Sequence, residues 1–315
     1  MALIEASIIF LYIFDIYDYI SCITIYLTMK SIFYIFSLFP KTLLVYLVDL
    51  YLFTKLYRFF SSYKITKINI KIAYPELSIA DINLLSKLSI RESIISGFET
   101  IYTWGRKDYE SNSQIFKIEN NFLLKNLINK RKGLIAVAIH NRSVDMLLKW
   151  INSNFKTVSL YKKIKISFLD NFVKKEREHG GSKSVETSIA GVREILKALQ
   201  LKKIICFAAD QVPQRGHGEY IPFYKRDAYT TTLVQALASK TKASVLYFYL
   251  NSNKGGFLSL SLKGCNESIY DDSKHKLLLN SDIEKMINNR PIDYSWEYKR
   301  FKKSKAGQMD PYASI

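Results

Sequence analysis

Residues 133–145 read GLIAVAIHNRSVD, and this stretch decides how the chain is read. The unbroken apolar run Leu134 to Ile139, bounded by Gly133 and by the polar loop Asn141-Arg142-Ser143, reads as a buried strand. Such a strand delivers His140 to the edge of a sheet, and Asp145 falls in the first turn of the helix that follows. A carboxylate so placed can reach back to one imidazole nitrogen, fix the tautomer and leave the other nitrogen free to take a proton. No Ser or Cys nearby is set up as a nucleophile. The chemistry such a dyad supports most directly is removal of a proton from a substrate hydroxyl, which then attacks an acyl group. The same residues also admit a structural reading, with His140 hydrogen-bonded at a strand end and Asp145 favoured by the helix dipole. The spacing alone does not choose.

Outward from this stretch the body alternates apolar strands with helical patterns. Strands are expected at 157–160, Ile204–Ala209, Tyr220–Phe223, Ser244–Leu250 and Phe257–Leu262. Helices are expected at 79–103 behind the cap Ser78, and at 119–130, 143–153, 166–178, 187–200, 230–240 and 281–289. The run Thr230-Thr231-Thr232 is read as the start of the 230–240 helix. Pro222 marks Ile221–Tyr224 as an edge strand. The pattern predicts an α/β fold: a layered, mainly parallel sheet flanked by helices. Ligands collect at the carboxyl ends of strands in such sheets, which is where His140 and Asp210 both fall.

The amino terminus is different. Residues 7–39 are almost wholly apolar, long enough for a membrane-anchoring helix and lacking the basic start of a signal peptide. A span over Tyr19–Phe39 excludes the costly Asp15 and Asp18 but accepts Lys30. Pro40 resets the chain, and the apolar segment 41–61 reads as a helix lying on the membrane surface. This divides the chain into an anchor (1–39), an interfacial helix and linker (40–66) and an α/β domain (67–315). Two buried helices of an ordinary core are the competing reading of the apolar start.

The formal charge is +18, yet the first 50 residues hold only two bases, Lys30 and Lys41, against four acids. The body therefore carries all of the excess, which suits anionic partners. The basic residues following the second apolar segment place the body in the cytoplasm. Soluble nucleic-acid binding would leave the apolar start unexplained. Scattered Cys22, Cys206 and Cys265 suggest neither disulfides nor a metal cluster, and no metal or cofactor is called for. Lys162, after a strand, could hold a phosphate or polarise a carbonyl. Asp210 ends an apolar strand, and Arg215 could pair with it or bind an anion. Trp296 and the run Tyr298 to Lys303 read as a membrane-facing or acidic-partner surface, or else as a frayed basic tail.

These pieces, in this order, resemble the bacterial late acyltransferases of lipid A biosynthesis, the lauroyl/myristoyl family within the lysophospholipid acyltransferase superfamily. The resemblance runs from about residue 24 nearly to the end. It is carried by INIKIAYPELS at 68–78, GLIAVAIHNRSVD at 133–145, YKK at 161–163, FAADQVPQRG at 207–216, IPFYKRDAYTTTLVQALASKT at 221–241 and RPIDYSWEYKRFKK at 290–303. It implies a glycerolipid acyltransferase-like fold with His140 as general base and Asp145 as its orienting partner. Lys162 and Asp210 then occupy the positions of the family's essential arginine and aspartate. It also implies an acyl carrier protein (or coenzyme A) donor, an anionic lipid A precursor as acceptor, and a site on the cytoplasmic face of the bacterial inner membrane. The chain departs from the family at Asn141-Arg142-Ser143, where Gly-Asn-Trp is frequent, at Lys162, where Arg is usual, and at Ala209, where Pro is common. Those departures keep two alternatives in view: another phospholipid or glycolipid acceptor, or a membrane-tethered relative without the chemistry.

Overall fold

A computed structural model describes residues 23–271 and 275–315. The described residues open with α1 (Ile23–Ser37), followed by α2 (Lys41–Phe53), α3 (Ser61–Ala73), α4 (Ile79–Gly105) and α5 (Asp108–Ser113). Then come β1 (Ile115–Glu119), α6 (Asn121–Asn129), β2 (Leu134–Ala138), α7 (Val144–Asn154), β3 (Thr157–Tyr161), α8 (Ser167–Arg177) and β4 (Lys183–Glu186). The remainder is α9 (Ile189–Gln200), β5 (Ile204–Ala208), β6 (Gly218–Phe223), β7 (Arg226–Thr231), α10 (Leu233–Thr241), β8 (Ser244–Ser252), β9 (Leu258–Gly264) and α11 (His275–Asn289).

Among the described residues, seven strands form one sheet in the order β1-β9-β8-β2-β5-β3-β4, parallel except for the β8–β9 pair. The expected mainly parallel layered sheet is what the chain builds. β2 lies at its centre, between β8 and β5, and all five of its residues are buried. Its side chains alternate in direction, as a pleated strand requires. Ile135 and Val137 join one apolar layer with Ile195, Leu199, Val234, Leu237 and Ile283. Leu134, Ala136 and Ala138 join the other, with Leu124, Met146, Leu147 and Ile151. A continuous apolar run was therefore needed, because both faces are covered.

Ser78 caps α4 as its sequence suggests, accepting from the Asp81 amide at 3.1 Å. The Thr run is placed differently from the expectation. Thr230 and Thr231 finish β7, which pairs antiparallel with β6 in a separate hairpin, and α10 begins only at Leu233. The β-branched side chains suit that strand better than a helix.

Part of the expected amino-terminal anchor falls on residues the structure does not describe. Asp15, Asp18 and Cys22 lie outside the described residues. Among those described, no single helix is long and apolar enough to cross a membrane. The consecutive helices α1 and α2 pass such a test only together, and they are bent by 80° at the break that ends in Pro40. Helix α1 is held against the body: the Lys30 ammonium donates to Glu176 at 2.8 Å and to the Trp104 carbonyl at 2.6 Å. Phe33 packs on Trp104 and Phe172. The opposite side of the pair leaves Leu27, Ile35, Phe36, Tyr46, Leu50 and Phe53 exposed.

The carboxyl-terminal segment corrects another expectation. Trp296, Arg300 and Phe301 are buried in the body rather than displayed on a surface. The Trp296 indole donates to the Pro291 carbonyl, and Asn69 donates to the carbonyls of Trp296 and Tyr298, stitching the segment to α3. The segment thus becomes part of the core and a wall of the site, and Lys302 is left exposed at its rim.

Candidate active site

Because β2 and β5 are adjacent and parallel, with Ala138 opposite Ala208, the chain leaves both strands side by side. The Ala209 amide still reaches the Ala138 carbonyl at 3.1 Å. Two residues beyond the paired alanines stand His140 and Asp210. Their side chains meet: His140 Nδ1 lies 2.8 Å from Asp210 Oδ1, and the His140 backbone amide donates to Asp210 Oδ2 at 2.8 Å. Burial, and then the charge of nearby Asp210, raise the Tyr294 hydroxyl well above its ordinary range. Asp210 is buried, its side chain 1 % exposed, whereas the imidazole is 29 % exposed.

This geometry corrects the sequence expectation that Asp145 orients His140. The Asp145 carboxylate is engaged by Arg177 from α8, with Nε to Oδ1 at 2.7 Å and Nη2 to Oδ2 at 3.2 Å. Asp145 starts α7 in the turn that Ser143 caps, and there it bonds across to α8 rather than back to the imidazole. Its charge still favours the protonated ring from a distance. The partner in contact is Asp210, seventy residues away in the chain.

The electrostatics of the pair agree from both sides. Burial pulls the imidazole down, but the charge and hydrogen bond of Asp210 outweigh it, and His140 is raised above its ordinary 6.5. Burial pushes Asp210 up, but His140 outweighs that as well, and the carboxyl stays below its ordinary range. The linkage has a definite sign. The raised imidazole stabilises the fold below its ordinary value, and that contribution is lost as pH rises through the raised one. The depressed carboxyl loses its contribution as pH falls through the depressed value.

With Nδ1 facing a carboxylate, the proton of the neutral ring sits on Nδ1 and Nε2 is the base. Nε2 meets the side-chain amide of Gln211 at 3.1 Å. Glu297, half-buried and accepting from Ser93 at 2.9 Å, adds a further carboxyl whose field reaches His140. Burial raises Glu297 above its ordinary value.

The loop after His140 is held rigidly. Ser295 donates its amide to the His140 carbonyl at 3.0 Å, and the Asn141 side chain donates to the Leu250 carbonyl at 2.6 Å. Arg142 has a left-handed backbone, φ 60°, and points inward with its side chain 1 % exposed. It forms ion pairs with Glu92 and Glu99 of α4 and lies 3.4 Å from Asp293. Burial pulls the guanidinium down, and these carboxylates together hold it well above its ordinary value.

Lys162 follows β3, which borders β5, so it stands at the same edge of the sheet as His140. It is exposed there and not in contact with the imidazole across the intervening strand. Arg215 is exposed on the loop between β5 and β6 and does not pair with Asp210, whose two oxygens serve the backbone amide and the ring of His140. Sequence reasoning gave no role to Tyr294, Glu297 or Gln211. Gln211, directly after Asp210, was the nearest to being legible.

A family described as bacterial lipid A biosynthesis acyltransferase matches residues 18–303 of the chain. No curated protein matches it.

Proposed function

The chain belongs to the bacterial lipid A biosynthesis acyltransferase family, which makes it an acyltransferase of lipid A biosynthesis; from that premise we propose that His140 is the general base of O-acyl transfer, with Asp210 as its partner. The acceptor is a hydroxyl of a lipid A precursor and the donor an acyl thioester on acyl carrier protein. One observation carries the reading: a partly exposed imidazole keeps Nε2 clear of any carboxylate, against the Gln211 side chain, while its Nδ1 is fixed by a buried one.

In the reaction, Nε2 takes the hydroxyl proton as the oxygen attacks the thioester carbonyl carbon. Asp210 stabilises the imidazolium that results. The carbon–sulfur bond then breaks, and the thiolate leaves with the proton that the imidazolium returns. Asp145 supplies a second, more distant negative field, while Lys162 and Arg215 at the same edge serve substrate anions. A groove of about 220 Å³, lined by Phe39, Leu44, Ile95, Phe98 and Met146 together with Lys41, Glu99, Tyr102 and Gln114, supports binding of an acyl chain behind the catalytic loop.

The expected result for His140→Ala is a loss of transfer of about 10²–10⁴-fold, read by mass spectrometry of acylated product. Undiminished turnover would sink the mechanism. In cells, underacylated lipid A on deletion would single out this acceptor over other phospholipids or glycolipids.

Membrane attachment at the cytoplasmic face of the inner membrane belongs to the same proposal. It is supported by the exposed apolar side of α1 and α2, which would bury into a bilayer surface. Purified protein should float with anionic vesicles, and Leu50→Glu/Phe53→Glu should not. Equal flotation of both would count against this attachment surface.

A further inference from the structure

Beyond Gln211, the loop that begins at the imidazole carries a second arrangement. The Val212 amide donates to the Tyr298 hydroxyl at 3.0 Å, and the Lys302 ammonium lies 4.7 Å from the centre of that tyrosine's ring. The Gly216 amide donates to the Tyr229 hydroxyl at 3.0 Å, and the Lys303 ammonium lies 4.4 Å from the centre of the Tyr229 ring. Lys303 also donates to the Pro213 carbonyl at 2.6 Å, which ties the loop to the carboxyl-terminal segment. Arg215 stands on the same loop, exposed, as is Lys302.

Three cations thereby lie on the loop that follows Gln211, the neighbour of His140 Nε2, and on the carboxyl-terminal segment tied to that loop. Partial burial, and then the nearby charges of Arg215 and Lys302, hold the Lys303 ammonium below its ordinary range. Like charges held together repel one another, and a polyvalent anion between them removes that cost. Aromatic rings beneath two of the ammonium groups fix their positions while leaving their remaining donors free. A phosphate group, with several acceptor oxygens and up to two charges, suits such a set better than a single carboxylate.

We propose that Arg215, Lys302 and Lys303 form a phosphate-binding subsite that positions a substrate beside His140. This rests on the acyltransferase reading and deepens it. Two substrates could bring the phosphate: the lipid acceptor on its sugar, or the donor on its pantetheine arm.

The test uses the full chain and Arg215→Gln/Lys302→Gln, which spares Lys303 because its ammonium holds the loop. Binding is measured to neutral-detergent micelles carrying phosphatidic acid, and separately to micelles carrying diacylglycerol. The double variant should bind the phosphatidic acid micelles about tenfold more weakly, from two exposed contacts, and the diacylglycerol micelles unchanged. Equal binding of both micelles by variant and parent overturns the subsite, as does an equal loss on both. In the transfer assay, a raised KM for the acceptor at constant kcat assigns the phosphate to the acceptor, and a raised KM for the donor assigns it to the donor. Should the parent protein transfer no acyl group, the catalytic proposal fails while the micelle measurement still reads the subsite.

Discussion

Asp210→Asn is expected to lower kcat by about 10³–10⁴-fold, while the fold loses only the stability that the depressed carboxyl contributes at neutral pH. The carboxylate does two things at once: it accepts from Nδ1, which fixes the tautomer, and it stabilises the imidazolium formed during proton transfer. An asparagine amide can present a donor to Nδ1 instead, which would turn the ring's basic nitrogen inward. The pH profile separates this from a general loss of structure. In the parent protein the rate should rise through a value above 6.5, because His140 must be neutral to act and Asp210 raises it. In Asp210→Asn the inflection should fall to the ordinary imidazole range or below, since burial remains and the main compensating charge is gone. Glu297 and Asp145 still act on the ring, but more weakly. Asp145→Asn is the matching control: it loosens Arg177 and should cost far less activity. If the Asp145 variant proves the more damaged, or the profile of Asp210→Asn does not move, Asp210 is not the partner.

The second large effect is on folding. Arg142→Ala leaves Glu92, Glu99 and Asp293 close together in the interior without the guanidinium between them. Removing one member of a buried ion cluster typically costs about 3–5 kcal/mol. For a chain of this size that corresponds to a fall in Tm of roughly 5–8 °C. The deficit should shrink as pH falls, because Asp293, raised by burial and no longer compensated by the guanidinium, takes up a proton in the fold before it does so in the unfolded chain. Arg142→Lys keeps the charge but loses the planar fork that serves two glutamates, so an intermediate loss is expected. Thermal unfolding across pH measures all three. A Tm unchanged in Arg142→Ala would mean that the cluster contributes nothing net. The position explains one departure from the family pattern: Asn141-Arg142-Ser143 still makes the turn after His140, but here the turn carries its own buried anchor.

The sheet, its central strand and the helices beside it were legible because they follow from local pattern. Leu134–Ile139 is apolar on both sides of its pleat, so it had to be buried on both faces. Strands alternating with helical periods had to form parallel crossovers. Of the elements missed, β1, β4 and α5 are short and weakly patterned, whereas α3 fell across the expected linker and β7 ran into the expected helix start. The Thr run went astray because a hairpin strand and a helix start look alike over three residues.

The chain's linear order alone determined that His140 would emerge at a strand's carboxyl end with an acid nearby, and that Asp210 would emerge at another. Which acid touches the ring was decided by tertiary structure. Strand order and register set β5 against β2, and a parallel ladder with Ala138 opposite Ala208 leaves His140 and Asp210 neighbours. Asp145, close in sequence, starts a helix that faces α8, where Arg177 claims it. Proximity along the chain limits what a side chain can reach, but the hydrogen-bonded ladder fixes what stands beside it. The same reason places Trp296 and Arg300 inside: their composition suits a surface, and the room made for them by α3 and β7 is a property of the packed whole.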